Sequence, residues 1–147
     1  MIDVQTATLI HRPRNVVASF AADPANAPRW YRNIESAEWK TTGPLAVGSR
    51  VAFVAHFLGR KLSYVYEIVE YVPEEKLVMR TFEGPFPMET TYRWTAVADS
   101  TRMTLSNRGE PTGFSRLVAP LVATMMRSAN RKDLTAIKKL LEGTEWR

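Results

Sequence analysis

The feature that most constrains this chain is an apolar stripe at helical spacing near its C-terminus, preceded by a stretch patterned almost wholly as strand. Between Thr112 and Glu142, Phe114, Leu117, Val118, Leu121, Val122, Met125 and Ala129 recur at intervals of three and four. That spacing places them on one broad helical face. Arg116, Arg127, Arg131 and Lys138 fall on the opposite face, so the water side is basic. A helix of about 30 residues runs about 45 Å and must lay its stripe on something. Pro120 removes a backbone hydrogen bond if it lies in the helix interior, so a regular helix starts nearer Leu117 or kinks there. Leu134, Ile137 and Leu141 drift off the stripe, which predicts a different neighbour for the C-terminal half.

The preceding chain supplies the sheet. Asp3 to His11 alternates as a first strand. Pro13 can open a short helix with Val16, Val17 and Phe20 on its apolar face, and Asp23-Pro24 can open a second that ends near Trp30-Tyr31. Ile34 to Lys40 reads as a second strand. After the turn from Thr42 to Gly48, five more strands follow as a meander: Arg50 to Leu58, Lys61 to Tyr71, Lys76 to Phe82, Glu89 to Val97 and Thr101 to Arg108. Gly59-Arg60, Pro73-Glu74-Glu75, Gly84-Pro85 with Pro87, and Ala98-Asp99-Ser100 make the turns.

Period two divides these strands into two faces. Val51, Phe53, Ala55, Phe57, Leu62, Tyr64, Tyr66, Ile68, Leu77, Met79, Thr81, Thr90, Tyr92, Trp94, Met103, Leu105 and Asn107 make the inward set. His56, Lys61, Ser63, Glu67, Arg80, Glu89, Arg93, Arg102, Thr104 and Ser106 make the outward set. A one-residue slip would exchange the two.

Composition narrows the chemistry. At 147 residues the chain is expected to form one domain, 1–147. It has no cysteine, which removes disulfides, thiolate metal sites and cysteine nucleophiles. His11 and His56 lie far apart, so no metal site is expected. The longest apolar run, Leu117 to Met126, is about half the length a membrane span needs, and the N-terminus lacks a signal-peptide pattern. A cytoplasmic protein with no membrane span is expected. The net charge of +5 is spread along the chain without interleaved aromatics. It reads as a solvated basic helix face, and no nucleic-acid partner is expected. Gly43 and Gly48 have the spacing of a phosphate loop, but Ser49 stands where its lysine belongs. No cofactor is implied.

Strand, two short helices, antiparallel meander and long C-terminal helix, in this order, resemble the helix-grip architecture of the START/Bet v 1-like (SRPBCC) superfamily, in particular its polyketide cyclase/dehydrase-like branch. The residues carrying the resemblance are Ile10 through Pro13, Val17 through Pro24, Pro28-Arg29-Trp30, Gly48, Glu67 through Pro73, Ser100 through Thr104 and Asp133 through Glu142. It spans essentially the whole chain. Ser100 departs from it, standing where glycine is usual in a surface turn.

The resemblance implies an α+β fold in which a seven-stranded curved antiparallel sheet wraps one long C-terminal helix, with two short helices between strands 1 and 2. It also implies an apolar cavity between sheet and helix that takes a hydrophobic or aromatic small molecule, lipid- or polyketide-like. Phe53, Phe57, Tyr64, Tyr66, Met79, Tyr92, Trp94, Met103, Asn107, Leu121 and Met125 are its candidate ligand-binding residues. The alternative is a cyclase or dehydratase in the same cavity. That chemistry needs a buried titratable group, and the inward set contains neither histidine nor carboxylate. Glu110, in the loop before the helix, is one carboxylate that could reach a cavity mouth. A third reading is an interaction module with a closed core and a basic helix face. A homodimer is possible in each case.

Overall fold

The computed structural model describes residues 2–57, 59–84, 87–109 and 119–143, without the side chains of residues 57 and 119. Phe114, Leu117, Val118, Arg116, Leu58, Glu110 and the side chain of Phe57 therefore lie outside the described residues.

Seven strands form one antiparallel sheet in the order β1-β7-β6-β5-β4-β3-β2. They are β1 (Ile2–Ile10), β2 (Ile34–Trp39), β3 (Arg50–Phe57), β4 (Arg60–Val72), β5 (Lys76–Glu83), β6 (Met88–Val97) and β7 (Ser100–Gly109). Between β1 and β2 lie α1 (Arg14–Ala22), a 3₁₀ turn (Pro24–Asn26) and α2 (Ala27–Trp30). The described C-terminal helix is α3 (Ala119–Glu142), with Pro120 in its first described turn. The helix-grip architecture expected from the sequence is the one found.

Local chemistry explains the boundaries. Asp23 accepts a hydrogen bond from the Ala25 N–H at 3.0 Å and caps the 3₁₀ turn. Ala98 has a positive φ of 53° in the two-residue loop that joins β6 to β7, the geometry favoured by tight hairpins. β4 carries register shifts against β5 at Val65/Tyr66 and at Ile68/Glu70. Such bulges bend and twist a strand, and they lie in the longest strand of a sheet that curves into a half-barrel.

The inward set faces α3 as expected. Val51, Phe53, Ile68, Leu77, Met79, Tyr92, Trp94, Met103 and Leu105 are buried, as are Thr90 and Asn107. The helix face differs from the expected stripe. Leu121 is 60% exposed and Met125 is 38% exposed, whereas Val122, Asn130, Asp133, Leu134, Ile137 and Leu141 are buried. The face that meets the sheet is one continuous band at three- and four-residue spacing. It is rotated about 100° from the expected stripe, the angle of one residue step. Leu134, Ile137 and Leu141 are thus its continuation and do not drift from it.

The C-terminal end of α3 is tied to the end of β1. Glu142 Oε2 accepts the His11 N–H at 2.7 Å, Lys138 Nζ donates to the Leu9 carbonyl at 2.6 Å, and Arg12 Nη1 donates to the Leu141 carbonyl at 3.0 Å. These polar ties close one end of the grip. The cavity lies toward the other.

Candidate functional site

A cavity of about 160 Å³ lies between the concave face of the sheet and α3. An apolar cavity of about 150 Å³ is enough to hold benzene. The strands build most of its wall. β3 gives Phe53 and Ala55; β4 gives Leu62, Tyr64 and Tyr66; β5 gives Met79; β6 gives Met88, Thr90 and Tyr92; β7 gives Asn107. Alternation alone puts these side chains on one face. Ile2 of β1 and Val122, Met126 and Ala129 of α3 close the apolar lining. Tyr31, Asn33 and Ile34 enter from the link between α2 and β2.

Aromatic rings pack around this space at favourable separations. Phe53 meets Tyr66 edge-on at 5.6 Å, and Tyr64 lies 5.8 Å from Tyr66. Trp30 packs on Tyr31 at 4.1 Å beneath the α2 end.

The polar groups fall into two sets. Thr90 Oγ1 donates to Asn107 Oδ1 at 2.6 Å across the β6–β7 pair. The Tyr66 hydroxyl titrates above its usual range because it is buried, and hydrogen bonds with Thr90 and Thr81 partly offset that rise. The second set joins the short helices to α3. Tyr31 and Tyr92 share a hydrogen bond of 2.7 Å between their hydroxyls. Burial raises both phenols, and the nearby Asp133 adds to the rise of each. Asp133 Oδ1 accepts the Arg32 N–H at 3.0 Å. Burial nonetheless lifts the Asp133 carboxyl to about 6, with the Arg32 N–H and the Arg32 charge opposing the rise. Asn130, one turn earlier on α3, is 6% exposed and lines the cavity with its Nδ2 unpartnered among the described residues.

Six of the residues expected from the sequence line the cavity: Phe53, Tyr64, Tyr66, Met79, Tyr92 and Asn107. Four others are placed elsewhere. Trp94 and Met103 pair with one another across β6 and β7 in the closed core. They stand four residues, about 13 Å, along the strands from Thr90 and Asn107. Period two fixes a face but not a position along it. Leu121 and Met125 are on the outer side of α3 because the facing band is rotated.

The absence of an inward carboxylate holds for the strands alone, since Asp133 arrives from the helix. Tyr31, Asn130 and Asp133 were not among the expected site residues. Reading 122, 126, 130, 133, 137 and 141 as one band would have found the two on the helix. His56 contributes to the lining, but its imidazole meets Glu35 at 2.9 Å among exposed groups. No group of three metal-ligating side chains occurs among the described residues, and no described helix is long and apolar enough to cross a membrane.

Comparison with known proteins agrees with the fold. No curated protein sequence matches the chain significantly. Among solved structures, TTHA0849 from Thermus thermophilus is similar, with 23% identity over 93% of this chain and 94% of its own and a TM-score of 0.82. The Zhui aromatase/cyclase from Streptomyces sp. R1128 is similar at 16% identity, covering 95% of this chain and 93% of its own, with a TM-score of 0.77. A START superfamily protein from Mycobacterium smegmatis is similar at 12% identity, covering 95% of this chain and 99% of its own, with a TM-score of 0.76. At these identities the likeness is one of fold. The model of the family described as polyketide cyclase/dehydrase and lipid transport matches residues 1–142, and the chain belongs to that family.

Proposed function

We propose that the protein binds a hydrophobic aromatic small molecule in the cavity between the sheet and α3. The carrying observation is the lining itself. Apolar side chains form most of it, with five aromatic rings and three methionines among them, and a few polar groups converge from β6, β7 and α3. That composition is the usual one for a small-molecule site. Methionine adapts to irregular ligands and aromatic rings supply stacking surface. Family membership supports the same reading, and the cavity favours it over a closed-core interaction module.

Native mass spectrometry of the purified protein, followed by denaturation and identification of what is released, tests this. A hydrophobic molecule at near-stoichiometric occupancy is the expected result. An apo mass together with no thermal shift across a panel of aromatic ketones, phenols and fatty acids would refute it.

A second reading, cyclase or dehydratase chemistry in the same cavity, is favoured by one group. Asp133 is 2% exposed, and its carboxyl titrates near 6 beside the Tyr31–Tyr92 hydroxyl pair. A carboxyl poised there is suited to exchange a proton with a bound ketone or alcohol, while a phenol donates to the oxygen. Turnover of a released ligand, abolished in Asp133→Asn with binding retained, is the outcome this reading requires.

A further inference from the structure

We infer that Asn130 and Asp133 are a specificity pair that selects ligands carrying a carbonyl acceptor and a hydroxyl donor in a meta relation on one ring. The inference rests on the cavity reading above and names the chemistry that the cavity recognises. Two independent observations carry it.

Asn130 belongs to the cavity wall, and its Nδ2 is a buried amide donor with no hydrogen-bond partner among the described residues. A buried donor left unmet is destabilising, so a ligand acceptor placed there is favoured over an apolar group. Asp133 supplies the complement. One of its oxygens is taken by the Arg32 N–H at 3.0 Å, and no described residue hydrogen-bonds the other. At neutral pH a carboxyl of this kind accepts and does not donate.

Geometry then sets the spacing. Side chains three residues apart on a helix share a face with their Cβ atoms roughly 5–6 Å apart. A meta-hydroxy aryl ketone presents its two oxygens over a comparable span. An ortho isomer would bond its own hydroxyl to its own carbonyl and offer no free donor. Beyond the Tyr31–Tyr92 hydroxyl pair that lies beside Asp133, the lining continues along α3 through the apolar Met126 and Val122 and across to Ile2 of β1, surfaces that suit the faces of the ring. Sites built to pair a ligand's polar groups reject analogues that lack them much more strongly than apolar pockets reject a missing methylene.

The test uses the full-length protein and three matched probes in isothermal titration at pH 7.5. These are 3-hydroxyacetophenone, 3-methoxyacetophenone without the donor, and 3-ethylphenol without the acceptor. The wild type is expected to bind 3-hydroxyacetophenone at least tenfold more tightly than either analogue. Asp133→Asn keeps an oxygen for Arg32 but offers an amide where the ligand hydroxyl needs an acceptor. It should bring the preference over 3-methoxyacetophenone below threefold and leave the preference over 3-ethylphenol intact. Asn130→Leu should do the reverse. This crossed pattern separates recognition from general damage to the fold, which would weaken all three probes alike. Equal binding of the probes by the wild type, or unchanged ratios in both variants, overturns the specificity pair and leaves the cavity reading standing. Failure of the wild type to bind any of the three overturns both.

Discussion

Replacing Asp133 with asparagine should stabilise the protein, and by an amount that depends on pH. Asp133 is 2% exposed, and desolvation raises its carboxyl from 3.8 to about 6 against the opposing Arg32 N–H. A group whose folded value is raised binds its proton more readily in the folded state. Its contribution is most favourable below 3.8 and is lost as pH rises through about 6. A difference of about two pH units corresponds to roughly 3 kcal/mol. The asparagine side chain would have nearly the same shape, keep an oxygen for the Arg32 N–H and carry no charge to desolvate. Urea unfolding of wild type and Asp133→Asn at pH 4, 5, 6, 7 and 8 measures the difference directly. The variant should gain on the wild type by roughly 2.4 kcal/mol of that range between pH 4 and pH 8, with most of the change between pH 4 and pH 6. Taking the difference cancels the contribution of exposed pairs such as His56–Glu35, which both proteins share. A difference that stays constant from pH 4 to pH 8 would refute the claim that burial outweighs the Arg32 compensation of this carboxylate's charge.

Other substitutions test the packing around the cavity. Tyr31→Phe leaves the Tyr92 hydroxyl without its 2.7 Å partner and should cost about 1–3 kcal/mol in thermal or urea unfolding. Met79→Trp fills the cavity from β5 and should abolish binding of aromatic probes in titration while the far-ultraviolet circular dichroism stays unchanged. Leu121→Ser and Met125→Ser, on the outer side of α3, should shift unfolding by no more than about 0.5 kcal/mol. Val122→Ser, one position away and 3% exposed, should cost about 1–3 kcal/mol by introducing a hydroxyl and a smaller volume into the packed face. At Gly109 any side chain would collide with Met88 Sδ and the Pro87 carbonyl, so Gly109→Ala should destabilise by about 1–3 kcal/mol.

The strands were legible because alternation in an antiparallel sheet with one buried face is a strong signal. Phe53, Tyr64, Tyr66, Met79, Tyr92 and Asn107 could be assigned to the cavity side from parity alone. The same signal gives no position along the strand, so Trp94 and Met103, which share that parity, were grouped with the lining although they lie in the closed core. The helix misled for a different reason. Asn130 and Asp133 interrupt the hydrophobic band at the positions that face the cavity, while Leu121 and Met125 are apolar on the outside. A wheel that scores only hydrophobicity rotates toward the latter pair. Polar residues on a buried face are themselves the mark of a site. Tyr31 had no periodic signal to reveal it, because it follows the four-residue helix α2 in a connection whose direction is set by tertiary contacts.

The central claim is that an aromatic ligand occupies the space between sheet and helix. Crystals soaked in 2-bromonaphthalene, with the bromine located by anomalous scattering, test it most directly. The account predicts a bromine peak enclosed by Tyr66 and Met79 of the sheet and Val122 and Met126 of α3. No peak there, with bromine only on the outer surface, would contradict it.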